Sequence, residues 1–183
     1  MTKEQSISFF EQCRPGFFTK HDFSWMPEEA VYEEMLLPLT QFDENALTIP
    51  VPDGVTFGFY TGDREALLRA VAEVDTEWPK YFTENERIYC AMMGDEIASF
   101  CMLGGMGEPV IDGKRLRVGG PGCVGTVPRF RRKGIGLKMI QKATAILRDE
   151  GYDLSYIHYT GVAKWYAKLG YETVLCWNKH GIL

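Results

Sequence analysis

Residues 123 to 137 read C-V-G-T-V-P-R-F-R-R-K-G-I-G-L, and this stretch limits the possible folds more than any other in the chain. A short apolar, β-branched run is stopped by Pro128 and followed by a cationic loop. Gly134 and Gly136 then open a segment whose apolar residues recur at helical spacing. The first four N–H groups of any helix lack intrahelical partners and carry the positive end of the helix dipole. Arg131, Arg132 and Lys133 stand just ahead of such a helix start, and the glycines leave its backbone bare, so the stretch reads as a diphosphate site. A basic turn that only caps an amphipathic helix is the alternative reading.

A competing pattern lies immediately upstream. Gly120-Pro121-Gly122-Cys123-Val124-Gly125 satisfies G-x-G-x-x-G, but the dinucleotide fingerprint needs a strand before it and a helix opening on its last glycine. Gly125 is followed by Thr126, Val127 and Pro128, two β-branched residues and then a step that a helix does not accommodate. The glycines therefore lie within or before a strand.

The spacing Arg131-x-x-Gly134-x-Gly136 after an apolar strand resembles the pyrophosphate loop of the GCN5-related N-acetyltransferases (GNAT). Lys164-Trp165-Tyr166-Ala167-Lys168-Leu169-Gly170-Tyr171 resembles that family's F-Y-x-K-L-G-F segment and lies at the expected distance downstream. The resemblance covers residues 55 to 177. It implies an α/β (α+β) fold with a central mixed, mostly antiparallel, splayed sheet flanked by helices. It further implies an N-acetyltransferase that moves an acetyl group from acetyl-CoA to a primary amine of a small molecule or peptide by direct attack, with no metal. A non-catalytic acyl-CoA-binding regulatory module is the alternative.

The resemblance also assigns residues. Coenzyme contacts fall on Gly125, Thr126, Val127, Arg131, Arg132, Lys133, Gly134, Ile135, Gly136 and Leu137. Tyr166 takes the position that donates a proton to the coenzyme A thiolate. Adjacent helical residues point about 100° apart, so Trp165 and Tyr166 cannot both face the core; Trp165 is expected to pack and Tyr166 to serve the site. His158, near the end of a strand expected to open onto the thioester, is the candidate general base because histidine titrates in the useful range. A structural histidine is the alternative there, and Glu108 is the second candidate base. Seven residues before Tyr166, where the family often carries asparagine, stands Tyr159, so that amide contact is lost or passes to Thr160. Trp78, Tyr81 and Phe82 are candidate acceptor contacts, with plain packing as the alternative.

Along the chain, Val55 to Tyr60 reads as the first strand of this domain, Asp63 as the N-cap of a helix carrying Leu67, Leu68, Val71 and Val74, and Ile88 to Leu103 as a hairpin turning at Gly94-Asp95. A second turn signal, Asp112-Gly113, marks a further pair. Dense glycine from Gly104 to Gly125 predicts bulges or close approach of a backbone or ligand. Residues 134 to 150 form an amphipathic helix stopped by Gly151, followed by a strand over 154 to 159, a short helix over 162 to 169 and a last strand over 172 to 177.

The first 54 residues lie outside that pattern and read as an extension packed on a core domain of residues 55 to 183. Phe9, Phe10, Phe17, Phe18, Phe23, Trp25 and Met26 are too aromatic a set for a solvated arm. Gly16 to Phe23 also resembles Lys164 to Tyr171, so the extension reads either as the remnant of a preceding lobe, with Val31 to Leu39 supplying a strand, or as an unrelated aromatic cover.

With 183 residues there is room for one domain with a sizeable core. A net charge of −5 argues against general nucleic-acid binding and makes the basic loop a local feature. Cys13, Cys90, Cys101, Cys123 and Cys176 form no C-x-x-C pair and read as small core residues of a reducing compartment. No apolar run reaches the ~20 residues of a membrane span. The expected protein is cytoplasmic, without membrane or nucleic-acid partners, and a monomer or homodimer.

Overall fold

The computed structural model describes all 183 residues. In chain order they form helices α1 (Lys3–Cys13) and α2 (Phe17–Lys20), strand β1 (Tyr32–Pro38), strand β2 (Val55–Phe59) and helix α3 (Arg64–Val74). Strands β3 (Ile88–Met93), β4 (Glu96–Gly107), β5 (Val110–Ile111), β6 (Lys114–Arg115) and β7 (Val118–Thr126) follow. Helix α4 (Ile135–Asp149), strand β8 (Leu154–Thr160), helix α5 (Ala163–Tyr166) and strands β9 (Glu172–Asn178) and β10 (Gly181–Ile182) complete the chain. No helix is long and apolar enough to cross a membrane.

These elements make two compact units, one of residues 1–42, 105–120 and 148–183, the other of residues 43–104 and 121–147. Residues 1–42 and 43–54, read in the sequence as one extension, fall in different units. In the first unit the strands run β10, β9, β1, β8, with the start of β7 beside β8. β1 is antiparallel to both of its neighbours, whereas β7 is parallel to β8 and pairs with it only at Val118↔Leu154 and Gly119↔Ser155. In the second unit the rest of β7 is followed by β4, β3 and β2; β3 and β4 form an antiparallel hairpin, and β2 pairs antiparallel with the other edge of β3. The sheet is thus mixed and mostly antiparallel, as the sequence predicts.

β1 builds part of the N-terminal segment into the sheet. Glu34, Met35, Leu36 and Leu37 are buried in succession, the signature of a strand covered on both faces. α1 begins with a capping box in which the Thr2 hydroxyl accepts from the Gln5 N–H and the Gln5 side chain accepts from the Thr2 N–H. It lays Phe9 and Cys13 on Leu36, Val118 and Tyr156. Phe10, Phe17, Phe23 and Met26 form a second cluster with Leu175 and Trp177. The expected burial of the N-terminal aromatics holds for these residues and fails for Trp25, which is 65% exposed. α2 leads toward β1 as α5 leads toward β9, so the two similar eight-residue stretches both fold as a short helix before a strand.

In the second unit α4 buries Ile135, Met139, Ile140, Ala143 and Leu147, the predicted stripe with Ile146 only half-buried. The Asp63 carboxylate caps α3 by accepting from the N–H groups of Glu65 and Ala66. Phe100, Cys101, Ala98 and Ala91 lie fully buried on β4 and β3.

Candidate functional site

The basic loop belongs to the second unit, and its shape is set by the backbone before any ligand is considered. After β7, residues Pro128–Phe130 make one turn of 3-10 helix, and the Arg131 Nε donates to the Thr126 carbonyl at 2.9 Å. Arg132 (φ 62°) and Gly134 (φ 77°) both adopt the left-handed conformation, which reverses the chain into α4. Arg129 is neutralised by Glu73 and Glu96, at 2.6 and 2.5 Å, whereas Arg131, Arg132 and Lys133 stay exposed. The positive charge of the loop therefore rests on those three side chains and on the start of α4.

The structure corrects the reason for two glycines. A Cβ on Gly134 would lie 2.2 Å from the Pro50 carbonyl oxygen, so residues 49 and 50 of the chain itself press on this glycine. Gly125 likewise makes room for the Phe100 ring, 2.4 Å from where its Cβ would stand. Gly134→Ala is accordingly expected to cost at least about 2 kcal/mol, from the left-handed backbone and the displaced carbonyl together. Denaturant unfolding checks this; an unchanged midpoint would show that Pro50 yields freely.

The two residues expected to do chemistry lie in the first unit. Tyr166 ends α5, is 6% exposed, and meets the rings of Trp165 and Tyr171 edge-on at 4.8 and 5.9 Å. Trp165 is only half-buried. The packing role expected of Trp165 thus falls in good part to Tyr166. His158 has different neighbours. Its ring lies 5.0 Å from that of Phe17 and 6.2 Å from that of Phe10, and its Nδ1 is 2.9 Å from Glu34 Oε2.

Glu34 is the residue that sequence reading missed. It is 1% exposed and receives four groups. Trp177 Nε1 (2.7 Å) and the Tyr159 N–H (3.3 Å) donate to Oε1, while the Tyr156 hydroxyl (2.5 Å) and His158 Nδ1 meet at Oε2. Burial first, and then the adjacent carboxylate, push the Tyr156 phenol far above its ordinary range, so it keeps its proton and donates. Nothing local marks Glu34, because its partners are 122 to 143 residues away; the only signal is a charged residue in an otherwise apolar strand.

The remaining candidates divide plainly. Glu108 is at the surface, 3.7 Å from Arg115. The Thr160 hydroxyl accepts from the Val162 N–H at 3.1 Å. Phe82 is buried edge-on against Phe100, Trp78 is half-buried, and Tyr81 is exposed. Of these three only Tyr81 and Trp78 can offer surface to an acceptor. All five cysteines are free thiols. Burial pushes Cys123 up to about 11 and Cys90 up to about 12, so neither presents a thiolate near neutrality.

Residues 58–174 match a family model described as an acetyltransferase (GNAT) domain. Among curated proteins none matches the chain in sequence. Solved structures with the same fold include the GCN5-related glucosamine N-acetyltransferase region of a fungal multi-domain GH3 β-N-acetylglucosaminidase, with a TM-score of 0.66 at 19% identity over 82% of this chain and 20% of that one. A GCN5-related N-acetyltransferase from Sphaerobacter thermophilus has a TM-score of 0.56 at 23% identity over 78% of this chain and 48% of its own. One from Kribbella flavida has 0.54 at 19% over 79% and 55%. The chain thus spans from a fifth to about half of the length of these proteins.

Proposed function

The chain belongs to the GNAT acetyltransferase family, and from that premise we propose that it transfers an acetyl group from acetyl-CoA to a primary amine by direct attack. The observation that carries the proposal is the loop of residues 131 to 134, exposed, triply basic and twice left-handed, ahead of a 15-residue helix. A diphosphate between such cations and unpaired helix N–H groups is held by charge-assisted hydrogen bonds. Arg131 to Leu137 and the end of β7 from Gly125 to Val127 are the residues assigned to coenzyme A.

The chemistry needs few parts. The amine lone pair attacks the thioester carbonyl carbon, the oxyanion collapses with breakage of the C–S bond, and the departing sulfur takes a proton. Tyr166 is proposed as that proton donor, to be reprotonated from solvent. His158 is proposed as the base that takes the proton released by the amine. No covalent enzyme intermediate is needed, which agrees with the protonated state of Cys123. The fungal neighbour is described as acting on glucosamine, so an amino sugar heads the panel of amines to be tried. Five free thiols agree with a cytoplasmic setting.

Release of free coenzyme A thiol across an amine panel tests the reaction. For binding, Arg132→Asn is the useful variant, since asparagine tolerates the left-handed backbone and removes only the cation. It is expected to weaken acetyl-CoA by about tenfold, the size of one charged hydrogen bond. Calorimetry showing unchanged affinity would overturn the loop assignment, and binding without turnover on any amine would make the protein a non-catalytic acyl-CoA binder.

A further inference from the structure

We infer that Glu34 is a positioning residue for His158, holding the imidazole as the Nδ1–H tautomer so that Nε2 is the nitrogen that takes up the proton. The inference rests on the reading of His158 as general base. It follows from the donors around one buried carboxylate. Trp177 Nε1 and the Tyr159 backbone nitrogen can only donate, so Oε1 carries no proton. At Oε2 the Tyr156 phenol keeps its proton and donates. A carboxylate accepts about four hydrogen bonds, and His158 Nδ1–H supplies the fourth, at 2.9 Å. A protonated Oε2 donating to an unprotonated Nδ1 is the opposite arrangement of the same contact, and the tautomer measured below separates the two. The other charged or titratable groups beside the cluster are the Arg14 guanidinium, 5.7 Å from the Tyr156 ring, Cys13, whose thiol burial holds up near 11, and the phenols of Tyr159, its ring 6.0 Å from that of His158, and Tyr32, its ring 5.2 Å from that of Trp177.

The ring's hydrogen-bond partners both lie on Nδ1, and the side chain is 18% exposed. When the amine gives up its proton to Nε2, the ring becomes an imidazolium beside a carboxylate already in place. The proton then leaves to solvent and both groups return to their starting state. The carboxylate therefore does two things: it selects the tautomer and it faces the charge that forms.

Glu34→Gln separates this from simple packing. The amide is nearly isosteric, and its carbonyl must face Trp177 Nε1 and the Tyr159 N–H. The NH₂ then falls at the Oε2 position, facing His158 Nδ1, which must accept, and the ring is driven to Nε2–H. Long-range ¹H–¹⁵N spectra of histidine-labelled protein, recorded above the imidazole titration and assigned with His158→Gln, read the tautomer directly. Expected are Nδ1–H in the parent protein and Nε2–H in Glu34→Gln, with kcat down by about 10²-fold or more and the acetyl-CoA KM unchanged. An Nε2–H ring in the parent protein overturns the inference without any variant having to fold. So does parent-like turnover of Glu34→Gln when His158→Gln is inactive. If His158→Gln itself keeps full turnover while the spectra show the expected tautomers, the reading of His158 as base is what fails, and the positioning inference falls with it.

Discussion

A chain beginning at residue 43 is expected to lose the fold of the unit that contains β8 and β9. β1 lies between those two strands and is hydrogen-bonded to both, so its removal opens two ladders at once. Met35, Leu36, Leu37 and Leu39 are all buried, and at about 1.5–3 kcal/mol each they contribute roughly 6–12 kcal/mol. That equals much of the ~5–15 kcal/mol by which a domain of this kind is stable. The Phe10, Phe17 and Trp177 cluster would also be exposed to water. Circular dichroism and thermal unfolding of the truncated protein give the answer. A soluble monomer that melts cooperatively within a few degrees of the full chain would mean that β8 and β9 can close on each other without β1.

Tyr166→Phe is expected to lower kcat by about 10²-fold and to leave acetyl-CoA affinity unaltered. The substitution keeps the ring that meets Trp165 and Tyr171, so unfolding should change little. That control matters because Tyr166 is more buried than its neighbour: Tyr166→Ala would open a cavity and lose activity for an uninformative reason. Coenzyme A thiols are weak acids, and without a donor the tetrahedral intermediate returns to reactants more often than it goes forward. Steady-state kinetics on an accepted amine, with chemistry shown to be rate-limiting, decides the matter. Parent-like kcat would make Tyr166 a packing residue and leave water to protonate the sulfur.

What the sequence shows and what it hides follow from the range of the interactions. The Asp63 cap, the hairpin at Gly94 and the stripe along α4 depend on residues a few positions apart, and they are read directly from spacing. The loop at Arg131 to Gly134 is legible for the same reason. The place of β1 is not, because its pairing partners are more than a hundred residues away and an apolar strand carries no address. Glu34 is hidden by the same distance. Gly134 misleads: spacing marks it as special, yet the group that demands a bare backbone is the Pro50 carbonyl. For Trp165 and Tyr166, the 100° step says that they face different ways; which one turns inward depends on the side from which the rest of the unit packs on the helix, and spacing does not give that.

The position of β1 also sets an order of events for a newly made chain. Its two partners are translated more than a hundred residues later, which at about 5–20 residues per second is a wait of several seconds to half a minute. During that time the strand has both backbone edges and a run of apolar side chains without their final neighbours, because α1, α2 and β1 emerge ahead of β8 and β9. Residues 43–104 and 121–147 are all made before β9 exists, so their unit can condense on the ribosome while the first segment waits. Strands made later thus enclose one made earlier, and a chaperone that holds the aromatic segment before β1 would act in that interval.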